Sequence, residues 1–204
     1  MTAGYDGLDD TILDAALARF LRVGIRQSSM EDIARDIGID HAGLHRRFTA
    51  KERLVDALLA RETLRMLAEA TTIATTVEDV DEQIEETMLH VLKQTRMHDL
   101  VTHLLRAAPE ESLALFTVHG RPRVSLGIDY IAGMLTHAQN LGLIARYDPR
   151  PIAELVARLA HSLLLTPAGG MDFSDTERVR LFLRTAIVPL VKNGLGPHTP
   201  PGPR

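Results

Sequence analysis

The chain has 204 residues, 45% of them hydrophobic and 25% charged, with a formal net charge of −4. That is enough apolar matter for a proper core, so disorder is excluded as the default state. The absence of cysteine excludes disulfide scaffolds and thiolate metal sites. Only 4% of residues are aromatic and none is tryptophan, whereas Ala, Leu, Arg and Glu recur, which favours helices over sheets. The start, MTAGYDGLDD, has neither the cationic residues nor the apolar run of a secretion signal. No apolar stretch approaches the ~18 residues of a membrane span. The expectation is a cytoplasmic protein with no membrane partner.

In chain order, Ile12, Ala15, Ala16, Phe20 and Val23 recur at helical spacing, which predicts a first helix over 9–23, capped by Asp9 or Asp10 and ended by Gly24. SSMEDIARDIG predicts a short second helix, with Ser28 and Glu31 as a capping box and Gly38 as a left-handed stop. Asp40 caps a third helix through Phe48, and Thr49 with Glu52 opens a long fourth that runs to about residue 70. Beyond TTIATT, helices are expected from Thr76 or Asp79 to Thr95, over Met97–Ala107, from Pro109 toward Gly120, and from Pro122 to near Gly142. Asp148 and Pro149 open another to Leu165, stopped by TPAGG. A last helix spans Asp175 to about Asn193, with a bend or frayed end at Pro189. No strand pattern survives, so the fold expected is all-α. A helix-turn-helix domain occupies residues 1–50, a larger helical ligand-binding and dimerisation domain 51–193, and a disordered Gly/Pro-rich tail 194–204.

Charge is segregated within the second and third helices. Residues 28–40 set Arg35 against Glu31, Asp32, Asp36 and Asp40, a surplus of three acids. Residues 41–53 set Arg46, Arg47, Lys51 and Arg53 against Glu52 alone, a surplus of three bases. Two short helices joined by a tight glycine turn are the signature of a helix-turn-helix, whose second helix enters the major groove. On this layout Leu44 and Phe48 pack back on Phe20, Ile33 and Ile37, while His41, Ala42, Gly43, His45 and Arg46 face outward. The small residues at 42 and 43 allow close approach of the backbone. His45, Arg46, Arg47 and Lys51 ring that face as phosphate contacts, and the helix starts at Ser28, Ser29 and Lys51 add amide donors.

ILDAALARFLRVG, SSMEDIARDIG, HAGLHRRF and AKERLVDALL, in that order and spacing, resemble the N-terminal domain of the TetR family of bacterial transcriptional regulators, over residues 12 to about 59. The resemblance implies that Ser29, His41, Ala42, Gly43, His45, Arg46 and Lys51 line the DNA. It departs from the family at His45, where tyrosine is usual, and at Asp40, where a small polar or basic residue is usual.

The last two long helices carry Ile152, Leu155, Val156, Leu159 and Leu163, then Val179, Phe182, Leu183, Ala186, Ile187 and Leu190, on more than one face each. The apolar surplus calls for a second copy of the chain, and the resemblance implies a homodimer paired through these helices as a four-helix bundle. In the family, helices four to seven enclose a small-molecule pocket. The semi-polar candidates here are Met88, Thr95, Met97, Thr102, His103, Arg106, Tyr130, Met134 and His137. No phosphate-cradling glycine loop, HExxH or Ser/His/Asp layout is present, so neither an enzyme nor a cofactor or metal site is expected. The function expected is a ligand-responsive repressor that binds a palindromic double-stranded operator as a homodimer and is released or modulated by a small-molecule effector. The alternative is a helical, dimeric ligand-binding or interaction protein without operator recognition, for which Asp40 and His45 speak.

Overall fold

A computed structural model of the chain describes residues 7–97, 99–107, 109–166 and 172–195. These residues form α1 (Gly7–Val23), α2 (Met30–Asp36), α3 (His41–Arg47), α4 (Lys51–Thr76), α5 (Val80–Met97), α6 (Asp99–Ala107), α7 (Pro109–Phe116), α8 (Arg121–Asn140), α9 (Pro149–Leu165) and α10 (Thr176–Phe182). A π-helical turn, Leu183–Ile187, then leads into α11 (Val188–Asn193). The described residues contain no strand, so the fold class is all-α as expected. None of their helices is long and apolar enough to cross a membrane. Most of the expected tail, from residue 196 on, lies outside the described residues.

By its internal contacts the chain divides into two compact units. One comprises the described residues up to Leu64 together with Met97–Val118; the other comprises Arg65–Arg96 and the residues from His119 on. The start of α4 lies inside the first unit, where Leu54, Val55, Leu58 and Leu59 are buried. In that unit α6 packs on α1, and the buried Ser112 hydroxyl of α7 donates to the Leu104 carbonyl of α6 at 2.8 Å. Arg61 of α4, 5% exposed, ties back to α1: it donates to the Asp10 carbonyl at 3.1 Å and pairs with Asp14 at 2.8 Å.

Helix four also outlasts its expected end. TTIATT is helical, and within it Thr71, Thr72, Thr75 and Thr76 return their hydroxyls to carbonyls four residues back, at 3.0–3.2 Å. These bonds satisfy side chains that otherwise compete for the backbone. Asp79 then caps α5 by accepting the Glu82 N–H at 2.9 Å.

The core of the second unit gathers Met88, Leu89 and Leu92 of α5, Ala132 and Leu135 of α8, and the inward residues of α9 to α11. Ile152, Val156, Leu163, Val179, Leu183 and Ile187, expected at a dimer seam, are 8% exposed or less within a single chain. These six belong to the core of the second unit, in which α8 lies along α9. Leu155 and Ala186 are exposed, and Leu159, Phe182 and Leu190 are half-buried. Just before Pro189, where a bend or frayed end is expected, the chain forms the π-helical turn. Proline has no N–H to donate and its ring crowds the carbonyl four residues back, and the wider turn just before α11 accommodates both.

On one side of this unit an open cleft of about 430 Å³ is lined by Asp79, Asp81, Glu82, Glu85, Glu86, Arg180, Arg184 and Val188. At its base Glu85, 4% exposed, takes Arg180 on one oxygen at 2.7 Å and Arg184 on the other at 2.6 Å. Burial works against ionisation of Glu85, but the hydrogen bonds from Arg184 and Arg180 outweigh it and hold its carboxyl below the usual value of 4.5. A depressed native pKa contributes stability that is full above the unfolded value and is lost as pH falls through the native one. Glu85→Gln is therefore expected to lower stability at pH 7 and to flatten its decline below about pH 4.5, as read by urea unfolding at a series of pH values. An unchanged acid limb would remove this contact from the stability of α5 against α10.

Candidate nucleic-acid interface

Helix α2 starts one residue later than the capping box suggested. Ser29, in extended conformation, accepts the Asp32 N–H at 3.1 Å, whereas Ser28 is 2% exposed and donates to the Gly24 carbonyl at 2.7 Å. Both serines have an acid three residues on, so the sequence rule fits either. What separates them is the turn after Gly24, whose φ of +83° folds Ser28 inward. Its hydroxyl is thereby withdrawn from the surface, and Ser28 leaves the set of contact candidates.

The turn between α2 and α3 follows the sequence. Gly38 sits at φ +71°, its N–H donates to Arg35 at 3.2 Å, and the Ile39 N–H closes back on Ala34 at 3.0 Å. Asp40 is extended and its carboxylate accepts the Gly43 N–H at 2.6 Å. The carboxylate that looked misplaced near DNA is thus engaged as the N-cap, where the positive end of the helix suits it. A Cβ on Gly43 would stand 2.6 Å from that same Asp40 oxygen. A side chain at 43 would push the capping carboxylate aside, so the glycine favours this close cap geometry, a reason the sequence did not disclose beside groove clearance.

Leu44 is fully buried and Phe48 6% exposed, as are Phe20 and Ile33 at 0%; Ile37 is half-buried. At about 100° per residue, Ala42 and Arg46 stand about 160–200° from Leu44, His45 and Gly43 about 100° to either side, and His41 and Arg47 only about 60° away. Ala42, His45 and Arg46 are exposed, and Arg46 makes no hydrogen bond or ion pair among the described residues. His41 is exposed on the flank toward α2, its Nε2 3.3 Å from a Glu31 carboxylate oxygen and its ring 5.8 Å from that of His45. A hydrogen bond from its own backbone N–H holds the Glu31 carboxyl below its usual range, against a burial cost and with help from His41.

Two expected phosphate contacts are turned elsewhere. Arg47 reaches Asp9 of α1 at 2.6 Å. Lys51 donates its ammonium to the Ile25 carbonyl at 3.0 Å and the Ser28 carbonyl at 3.2 Å, pinning the α1–α2 turn to the start of α4. That start is also displaced from Thr49: Ala50 accepts the Leu54 N–H at 3.1 Å and takes the cap position. Sequence reasoning missed the partners Asp9 and Glu31. An ion pair across 38 residues leaves no local signal.

The nine effector-pocket candidates are not gathered in one unit. Met97, Thr102, His103 and Arg106 belong to the first, and Met88, Thr95, Tyr130, Met134 and His137 to the second. The side chains of Met97 and His103 lie outside the described residues. Arg106 and His137 are exposed, and Thr102 and Met134 half-buried. Thr95 is buried with its hydroxyl on the Val91 carbonyl at 2.7 Å, and Tyr130 donates to the Leu67 carbonyl at 2.9 Å, so both hydroxyls are already engaged within the chain. None of the nine lines the acidic cleft.

A short capped helix, seated on a second helix through a glycine turn and directing its unpaired cation away from the core, defines a helix-turn-helix DNA-binding protein. The family model described as bacterial regulatory proteins, tetR family, matches residues 12–58. An uncharacterized HTH-type transcriptional regulator of Mycobacterium tuberculosis is 30% identical over 188 residues, covering 89% of this chain and 84% of that protein. Among solved structures, the TetR family repressor AlkX from a Dietzia strain aligns with a TM-score of 0.69 at 17% identity, covering 93% of this chain and 97% of that one. A TetR-family transcriptional regulator from Pectobacterium atrosepticum aligns at 0.66 and 19%, covering 90% and 93%. The chain belongs to the TetR family, and it is a DNA-binding transcriptional regulator rather than an enzyme.

The Lys51 contacts generate a prediction. Lys51→Met keeps the aliphatic stem but leaves two carbonyls without their cation, and is expected to cost the first unit about 1–2 kcal/mol in urea unfolding. Unaltered stability would return Lys51 to the solvent-facing cations.

Proposed function

We propose that the protein is a repressor that reads a palindromic operator as a homodimer, with α3 as the reading helix. The single observation that carries this is the opposition of Leu44, fully buried, to the exposed Ala42 and Arg46 across α3. Ala42 lets the backbone approach the base edges, Arg46 and His45 reach bases or phosphates, and the cap at Ser29 together with His41 borders the flank. Gly43 supports the same face by admitting the Asp40 cap. Arg47, Lys51 and Ser28 serve the scaffold instead.

Two reading helices bound to one duplex require half-sites about 34–36 Å apart or a multiple of it. Leu155, Leu181 and Ala186 are exposed, and with the half-buried Leu159, Phe182 and Leu190 they are apolar residues of α9 to α11 that a second copy can cover. A small-molecule effector acts by preferring the dimer shape in which the two reading helices are mis-spaced, and it shifts operator affinity only by its difference in affinity between shapes. Within the second unit, the buried Met88 and half-buried Met134 are the adaptable apolar groups suited to such a ligand.

The test is to pass fragmented genomic DNA over the immobilised protein, sequence what is retained, and measure affinity for the enriched fragment against salt. An inverted repeat with centres about 10–10.5 base pairs apart, or a multiple, is expected. Arg46→Ala should then weaken binding: by about 1–3 kcal/mol with relaxed preference at one position if it reads a base, or with a salt slope lower by about one if it neutralises a phosphate. Retention without any enriched sequence would contradict the operator reading.

A further inference from the structure

The geometry points to Asp9, outside the helix-turn-helix itself, as the residue that sets the orientation of α3 for sequence-specific binding. The inference rests on α3 being the reading helix. With seven residues and one buried side chain, Leu44, α3 has little packing of its own to fix its rotation. Asp40 caps its first turn, and at its other end Arg47 places Nη1 2.6 Å from an Asp9 carboxylate oxygen. The side chains of this pair are 31% and 21% exposed, so much of it is withdrawn from the solvent that weakens surface ion pairs.

The ledge that holds Arg47 is itself held. Asp10 and Asp14, on the same end of α1, engage the buried Arg61 of α4. Farther along α1, Arg19 binds Asp32 at 2.8 Å and Asp36 at 2.9 Å. One helix thus supplies a base to the acidic α2 and an acid to the basic α3, which accounts for the charge segregation of the two segments. Arg47 lies only about 60° around α3 from Leu44, so Asp9 bonds it without covering the outer face.

If Asp9 acts only through the field around DNA, it contributes one negative charge there, and the two roles then differ in sign. As a bystander acid it opposes phosphate binding, so its neutralisation would tighten binding to every duplex. As an orienting residue its loss weakens binding to the selected sequence alone. The probes are a fluorescein-labelled operator fragment enriched from genomic DNA and a random-sequence duplex of equal length. Asp9→Asn, checked to be folded by its melting curve, is expected to lower the selected-to-random affinity ratio about two- to fivefold. Asp9→Glu should restore the ratio to within about twofold, because it can renew the bond to Arg47. A ratio unchanged in Asp9→Asn, or equal tightening on both duplexes, overturns the inference. Amide hydrogen exchange of the DNA-free protein decides separately whether the bond holds α3. Faster exchange at Phe48, whose N–H closes on Leu44, is expected in Asp9→Asn and not in Asp9→Glu. Unchanged exchange overturns the inference even if the wild type enriches no DNA sequence, an outcome that by itself would defeat only the operator reading.

Discussion

The burial of Leu44 decides which side of α3 meets solvent, and most of what the first unit offers follows from it. Fully burying a leucine is worth about 1.5–3 kcal/mol, against a fraction of that for each exposed charge on the same helix. With Leu44 turned in, Ala42 and Arg46 have no direction left but outward. The cap at Asp40 and the glycine at 43 fix where the helix starts, and the left-handed turn at Gly38 fixes where it departs from α2. None of these devices is energetically large. They agree with one another, and that agreement makes the surface specific.

Charge has a double use in this unit. The acids of α2 and the bases of α3 look at first like a solvated face and a nucleic-acid face. The bonds divide them differently: Asp32 and Asp36 belong to Arg19, Arg47 to Asp9, and the Lys51 ammonium to two carbonyls. Ser29, which caps α2, also holds the Asp32 carboxyl below its usual range by hydrogen bonding, so this acid stays ionised for Arg19. Much of the cation surplus is therefore structural, and the group left facing outward is small.

Local rules made much of the fold legible. Helix order, the stops at Gly24, Gly38 and Gly142, and the caps at Asp40, Asp79 and Asp148 all depend on residues within one turn of each other. The failures share a cause in long-range contacts. Ser28 and Ser29 obey the same capping rule, and only the fold of the preceding turn separates them. Ile152, Val156 and Leu163, expected at a dimer seam, are buried in the single chain, where α8 lies along α9, a placement that no periodicity in α9 itself encodes. The fourth helix, expected to run to about residue 70, continues through the threonine run at 71–76, whose hydroxyls bond back along the helix. Arg47 and Lys51 were assigned by charge, whereas their partners lie 38 and 23–26 residues away. The acidic cleft over Glu85 left no signal in the sequence, since its walls come from segments about 95 residues apart.

The absence of cysteine allows the central claim to be tested residue by residue. A single cysteine placed at Ala42 or at Arg46, with one at the exposed Thr136 as control, can be alkylated in the presence and absence of the enriched DNA fragment. The account predicts that DNA shields positions 42 and 46 and leaves 136 as reactive as before. Equal alkylation at 42 with and without bound DNA would contradict it, because a bound duplex would then be lying somewhere other than against the outer side of α3.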